Sequence, residues 1–209
     1  MAKLAIDFEW TRRRADGGIG YECVDQKIRQ VGRPSEKLRP LEIHPTLYLD
    51  FAKLSAAPAK PLTAEAIAEC VKFAKTWGLL TMHAREGAEE DLHLWQREIK
   101  KMKGLIAMAP MIRTANSRRV RAHVTSVDIS LESRLPDARP ALVLQARTLL
   151  DAMLVQFAQS TASGNSLHVC AQCGEWFEVG AGADAKRSVA KFCSDRCRNR
   201  HHYERRIGK

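Results

Sequence analysis

Two pairs of cysteines near the end of the chain constrain its fold more than any other feature. Two residues separate Cys170 from Cys173, three separate Cys193 from Cys197, and nineteen lie between the pairs. A short Cys pair presents two thiolates from one tight turn, and zinc in structural sites takes four tetrahedral ligands. The spacing therefore predicts that these four cysteines bind one Zn²⁺.

The residues beside the pairs indicate how each pair is presented. Gly174 allows a sharp turn after the first pair. Ser194 is a good helix cap, which would place Cys193 just before a helix and Cys197 in its first turn. A knuckle followed by such a helix describes a treble-clef finger. Three aromatic residues are expected to cluster beside the metal: Trp176, Phe177 and Phe192.

Other interpretations of these cysteines stay open from the sequence. A single Cys-x-x-Cys is also typical of redox proteins, and paired cysteines form disulfides in oxidising compartments. One of three histidines could replace a cysteine as ligand: His168, His201 or His202. Cys23 and Cys70 lack partners at metal spacing, so we interpret both as buried small hydrophobic residues.

The zinc is expected to be structural. A module of this length cannot stabilise itself by burial alone. Zinc binding in comparable peptides contributes on the order of 10–16 kcal/mol, and that free energy is folding free energy. Four thiolates leave no open position for a catalytic water.

The 209 residues, 45% of them hydrophobic, are enough for a real core and predict two parts in an α+β fold. Residues 1–160 form a mainly helical domain with a small sheet, and residues 167–209 form the finger. The small polar residues 160–166 between them are typical of a linker.

Hydrophobic periodicity predicts three helices in the first part, at residues 63–77, 89–108 and 140–161. Trp77 and Trp95 lie on apolar faces and are interpreted as core residues. Acidic residues 89–91 would open the second helix, where they favour its dipole. Strands are expected at residues 5–10 and 120–131.

The formal net charge is +10, which suggests a polyanionic partner, most often nucleic acid. Nine Lys or Arg against three acids lie between residues 184 and 209. On a helical wheel Cys197, His201 and Glu204 face the metal, while Asn199, His202 and Arg206 face away. The alternative is a solvated, frayed tail. The predicted nucleic-acid contacts are Arg196, Arg198, Asn199, Arg200, His202, Arg205 and Arg206.

Residues 170–206 resemble the C-terminal zinc finger of bacterial CGNR-type proteins, in which an ABATE domain of helices and strands precedes the finger. The resemblance implies a DNA-binding transcription regulator. Asn199 and Arg200 match the family motif, whereas Arg198 stands where that family has Gly. The ending of residues 192–197 is also similar to MYND fingers and to short zinc-binding gyrase inhibitors, which bind proteins.

No catalytic motif is visible, so we expect no enzymatic activity. The chain has no Gly-x-Ser-x-Gly, His-Glu-x-x-His or phosphate-binding loop. It also has no apolar run long enough for a membrane span, and nothing resembling a signal peptide. We therefore expect a cytoplasmic protein that binds double-stranded DNA. An adaptor that binds a protein partner is the alternative, and a metal-dependent nuclease related to HNH enzymes is the less favoured one.

Overall fold

A computed structural model describes residues 6–9, 19–32, 46–55, 62–82, 87–114, 127–134, 139–180 and 189–207. For residues 6–9, 110–114, 127–134 and 139–145 it describes the backbone alone. The helices in these ranges are α1 (Leu47–Lys53), α2 (Ala64–Trp77), α3 (Leu92–Thr114), α4 (Leu149–Ala162) and α5 (Asp195–Arg206). The strands are β1 (Ile6–Glu9), β2 (Gly20–Val24), β3 (Lys27–Val31), β4 (Glu89–Asp91), β5 (Val127–Arg134), β6 (Arg139–Ala146), β7 (Ser166–Val169) and β8 (Trp176–Val179).

The strands form three small sheets, which confirms the predicted α+β class. One has the order β1-β6-β5, with β1 parallel and β5 antiparallel to the central strand. The second is the antiparallel sheet β2-β3-β4. The third is the antiparallel hairpin β7-β8 in the finger. Mixed helices and separate small sheets are what α+β means.

The main core lies between α1, α2, α3 and α4. Trp95 is 0% exposed, and its ring contacts Phe51 and Phe73 at centroid distances of 6.2 and 6.0 Å. Trp77 is half-buried against the same cluster, so both tryptophans are core residues as predicted. Burying a large side chain of this kind contributes about 1.5–3 kcal/mol, so these aromatic rings hold the helices together.

The predicted boundaries of α2 are confirmed. Thr63 caps its start, where the side-chain oxygen accepts a hydrogen bond from the Ala66 N–H at 3.2 Å. Gly78 follows its last residue with φ 99, a conformation that other residues rarely adopt. Local sequence signals at both ends therefore determine this helix.

The predicted start of the second helix, at residue 89, is wrong. Residues 89–91 form β4 on the edge of β3, and α3 begins at Leu92. Glu90 is 4% exposed and its carboxylate accepts five hydrogen bonds, from Leu80 N, Thr81 N and Oγ1, Met82 N and Trp95 Nε1, at 2.6–3.1 Å. Of the three acidic residues, Asp91 contacts the start of α3, where its carboxylate accepts a hydrogen bond from His93 N at 2.6 Å.

The predicted helix at residues 140–161 is wrong over its first part. Residues 139–146 form β6, which lies between β1 and β5. A central strand is apolar on both faces, so its run of apolar residues resembles a buried helix in sequence. The helix α4 begins at Leu149, where Thr148 Oγ1 accepts a hydrogen bond from Asp151 N.

The predicted strands are found in part. Residues 6–9 form β1, and residues 127–134 form β5, which extends past the predicted end at residue 131. Residues 5, 10 and 120–126 lie outside the described ranges. The linker prediction is too long, because Ser160–Ala162 complete α4 and Ser166 begins β7. Three residues connect the helix to the hairpin.

The two cysteines outside the finger differ in burial. Cys70 on α2 is 3% exposed, and burial raises its pKa to about 12, so it behaves as a buried apolar residue. Cys23 on β2 is half-buried and packs against the same core. Within the ranges described, no helix combines the length and apolar character that crossing a membrane requires.

Candidate metal centre

The four predicted cysteines come together at one point of the finger. Cys170 and Cys173 lie in the turn between β7 and β8, where Gly174 has φ 75. Cys193 directly precedes the cap of α5, and Cys197 lies in its first turn. Their Sγ atoms all lie within 4.8 Å of one another, so this cluster could hold a metal ion.

The spacing of the thiols fits a tetrahedral ion. Sulfur atoms about 2.3 Å from a central zinc ion lie about 3.8 Å apart. The Sγ of Cys193 is 3.6 Å from that of Cys173 and 3.5 Å from that of Cys197. A disulfide bond would require about 2.05 Å, and all four cysteines are free thiols. The donor set and its dimensions therefore suit a metal better than a disulfide.

No histidine belongs to the candidate metal cluster of the described residues. Among the described residues, the cluster that could hold a metal consists of the four cysteines alone. His168 contacts the Phe177 ring at 6.1 Å, and His201 lies against Phe192 at 5.0 Å. These histidines take part in packing instead of ligation.

The electrostatics of the cluster differ from thiol to thiol. Burial favours the neutral thiol of Cys170, but hydrogen bonds from the backbone N–H groups of Cys173, Cys193 and Gln172 outweigh it and lower the pKa to about 6. Burial and the thiols of Cys197, Cys173 and Cys170 raise the pKa of Cys193 to about 12. Without a cation the cluster cannot hold four negative charges, whereas a divalent ion removes that conflict.

The start of α5 is built as the sequence predicts. Ser194 Oγ accepts a hydrogen bond from Cys197 N at 3.2 Å, which is the capping contact. The Ala171 N–H donates to the Lys191 carbonyl at 3.0 Å and joins the segment before Cys193 to the hairpin turn. Together these bonds bring the second pair of cysteines to the first.

One contact between the turn and α5 was not predicted. The Gln172 side chain donates from Nε2 to Glu204 Oε2 at 2.8 Å, while its Oε1 lies 3.2 Å from His201 Nδ1. The helical wheel contained a signal for this contact. It placed His201 and Glu204 on the side of α5 that faces the cysteine cluster, and Gln172 lies between the first two candidate ligands.

The two faces of the β7-β8 hairpin pack against different clusters. Side chains alternate between the faces of a strand. Phe177 and Val179 pack with Cys170 beside the metal site, and Phe192 joins them. Trp176 and, diagonally across the hairpin, Leu167 instead pack against the main core. The prediction that Trp176 lies beside the metal is therefore wrong, because strand alternation turns it away from Phe177.

A buried carboxylate also lies at the junction between the hairpin and the helices. Glu178 on β8 is 9% exposed and accepts hydrogen bonds from the Tyr48 hydroxyl and from Asn165 Nδ2, the latter at 3.0 Å. Tyr48 lies on α1 and is 0% exposed. The finger is therefore attached to the helices by both apolar and polar contacts, which the sequence did not reveal.

The predicted nucleic-acid contacts all lie on α5, and none of the residues of this helix is buried. Two of its arginines form ion pairs within the helix, Arg200 with Glu204 at 2.7 Å and Arg198 with Asp195 at 3.4 Å. No ion pair is seen between described residues for the other three, Arg196, Arg205 and Arg206. The basic residues Lys186, Arg187 and Lys209 lie outside the described ranges.

Comparison with known proteins identifies no relative of this chain. No family model matches the chain, and no curated protein or solved structure matches it. The resemblance to CGNR-type fingers stays a prediction from the motif.

Proposed function

We propose that this protein binds one structural Zn²⁺ through Cys170, Cys173, Cys193 and Cys197, and binds duplex DNA with α5 as a transcription regulator of the cytoplasm. One observation carries the proposal: the two thiols of the hairpin turn and the two thiols at the start of α5 lie close enough together to bind one ion. The metal would fix in place a helix that carries five arginines and no buried residue.

The donor set supports zinc. Four thiolates in tetrahedral geometry are typical of zinc or of iron bound by sulfur, and zinc is the usual metal of a knuckle joined to a helix. Four protein ligands fill the coordination shell, so the metal would stabilise the fold and leave no position for a reacting water. We accordingly propose a binding protein and not an enzyme.

The charge of α5 supports a polyanionic partner. Asp195 and Glu204 offset Arg198 and Arg200, which leaves the charges of Arg196, Arg205 and Arg206 uncompensated on the helix. DNA carries a dense line of phosphates with condensed counterions, and arginines that replace those counterions gain affinity at low salt. A helix with one face on the metal module and the other free has the shape that enters a major groove.

One observation favours the alternative of a protein adaptor. An open groove of ≈ 500 Å³ runs beside β7, between the hairpin and the segment that leads to Cys193. Its lining is apolar except at His168 and Lys191, and Val169 there is 51% exposed. An extended peptide could bind in such a groove, and Val169→Asp would then abolish binding of the partner without changing DNA affinity.

A salt titration tests the DNA proposal. Fluorescence anisotropy of a labelled duplex should give affinities that fall steeply with salt, with a log–log slope of about −0.9 for each phosphate neutralised. Arg206→Ala should reduce the magnitude of the slope by about one, whereas the charge-matched control Lys75→Ala on α2 should leave it unchanged. Absence of duplex binding at about 100 mM salt, where charges still interact over about 10 Å, would refute the proposal.

A further inference from the structure

The outer face of α5 carries two side chains that the finger does not use. Cys197, His201 and Glu204 face the hairpin turn. At 100° per residue Asn199 lies on the opposite side, and Tyr203 lies one turn after it, toward the flank that carries Arg196 and Arg200. Tyr203 is 63% exposed, the largest exposed ring in the parts of the chain described here. Within those parts, no hydrogen bond is seen from the side chain of either residue.

The surroundings of these two side chains are basic. Arg196 lies one turn before Asn199, and Arg206 lies one turn after Tyr203. Both arginines lack an ion-pair partner within the described ranges. A free positive charge therefore lies on each side of Asn199 and Tyr203 along the helix. An aromatic ring and an amide between unpaired arginines combine apolar, hydrogen-bonding and positively charged groups on one exposed stripe of the helix.

Base edges in the major groove match this pair chemically. An Asn side chain can bind adenine N6 and N7 with two hydrogen bonds, and an apolar ring can contact the methyl group of thymine. Residues four apart on a helix are separated by about 6 Å along its axis, and successive base pairs by about 3.4 Å. Asn199 and Tyr203 can therefore reach base pairs one or two steps apart while Arg196 and Arg206 contact phosphates.

We propose that Asn199 and Tyr203 read A·T base pairs in the major groove, Asn199 at adenine and Tyr203 at the thymine methyl group. This inference rests on the proposed function, because it requires α5 to bind duplex DNA. It assigns sequence preference to two residues and general affinity to the flanking arginines. Nothing in the metal site is needed for the preference beyond holding α5 in position.

The experiment uses three duplexes of equal length with the full zinc-loaded protein. One has a mixed A·T sequence, the second is the same duplex with deoxyuridine in place of thymidine, and the third contains only G·C pairs. Wild type should bind the A·T duplex about tenfold more tightly than the G·C duplex. Deoxyuridine should weaken wild-type binding about fourfold for each methyl group in contact.

The variants separate the two roles. Tyr203→Ala should bind the thymidine and deoxyuridine duplexes equally, and Tyr203→Phe should keep the difference. Asn199→Ala should reduce the preference over G·C to the part that the thymine methyl groups supply, and it should keep the methyl effect. Both residues are exposed, so zinc content and melting temperature should stay at the wild-type values in all three variants.

The outcomes distinguish this inference from the proposed function. Salt-dependent binding by wild type with no difference between thymidine and deoxyuridine would overturn the inference and leave DNA binding intact. A preference for A·T without a methyl effect would also overturn it, because the methyl group lies in the major groove. Failure to bind any of the three duplexes would remove the proposed function itself.

Discussion

Gln172 binds Glu204 across the finger, with Nε2 2.8 Å from Oε2, and the same side chain contacts His201. Gln172 lies between two of the candidate metal ligands, and Glu204 lies two turns beyond the last one. The cysteines hold only the start of α5, whereas this contact holds its later turns against the hairpin turn and so fixes the direction of the helix axis. Arg200 joins this arrangement through its ion pair with Glu204.

Replacing Gln172 with Ala should weaken DNA binding without changing its salt dependence. The variant loses two hydrogen bonds that orient α5 but no positive charge. We expect an affinity loss of about threefold to tenfold, the equivalent of one or two net hydrogen bonds. Anisotropy titrations at several salt concentrations measure both quantities. A slope reduced by about one would mean instead that this region contacts a phosphate.

Cys173→Ser or Cys197→Ser should abolish metal binding and unfold the finger. Native mass spectrometry should show one zinc per chain in wild type and none in either variant. The buried residues of the main core all precede Ser160, so the helical signal should largely persist. The melting temperature of the helical part should nevertheless fall, because Leu167 and Trp176 pack against it.

The matched control for those variants is Cys70→Ser. Cys70 belongs to the main core and not to the thiol cluster, so this variant should retain its zinc. Loss of zinc from Cys70→Ser, or full metal content in Cys173→Ser, would contradict the four-cysteine site.

Tyr48→Phe should destabilise the fold by about 1–3 kcal/mol, because Glu178 would lose a hydrogen-bond donor while remaining buried. Urea unfolding monitored by circular dichroism gives this value. The variant should keep its zinc, since Tyr48 lies on the opposite side of the hairpin from the thiols. An unchanged unfolding midpoint would mean that water replaces the tyrosine hydroxyl at Glu178.

Alkaline pH should reveal the same contact. Burial and the hydrogen bond to Glu178 raise the pKa of Tyr48 above its usual value near 10. The unfolded chain therefore releases this proton first, so the contribution of Tyr48 to stability is complete below about pH 10 and is lost as the pH rises further. Stability should decline less steeply above about pH 10 in Tyr48→Phe than in wild type.

Glu90→Gln should be among the most destabilising isosteric changes in the helical part. The carboxylate accepts five hydrogen bonds from the segment after α2 and from Trp95. A Gln side chain would point its NH₂ group at donors, so we expect a loss of about 2–3 kcal/mol. The neighbouring Glu89→Gln is the control: it alters half-exposed ion pairs with Lys27 and Arg29, which should contribute less than the five buried hydrogen bonds of Glu90.

Local chemistry in the sequence was enough to predict α2 and the metal cluster. Thr63 and Gly78 mark the ends of one helix, and Gly174 and Ser194 place two pairs of cysteines on a turn and a helix start. Each of these signals acts over a few residues. The turn and the capping contacts that they direct lie between near neighbours, so they can be predicted without knowledge of distant parts of the chain.

Tertiary structure decided the elements whose partners are distant in sequence. Residues 139–146 become a strand because β1, more than 130 residues earlier, and β5 pair with them. Residues 89–91 become a strand because they pair with the edge of β3. Glu90 is buried because the backbone N–H groups after α2 donate hydrogen bonds to its carboxylate. Trp176 packs on the helices because alternate side chains of β8 face opposite sides, and the main core lies on the side that Trp176 faces. The sequence determined which local structures and which candidate metal ligands were available. Long-range pairing and burial then decided how the remaining residues were used.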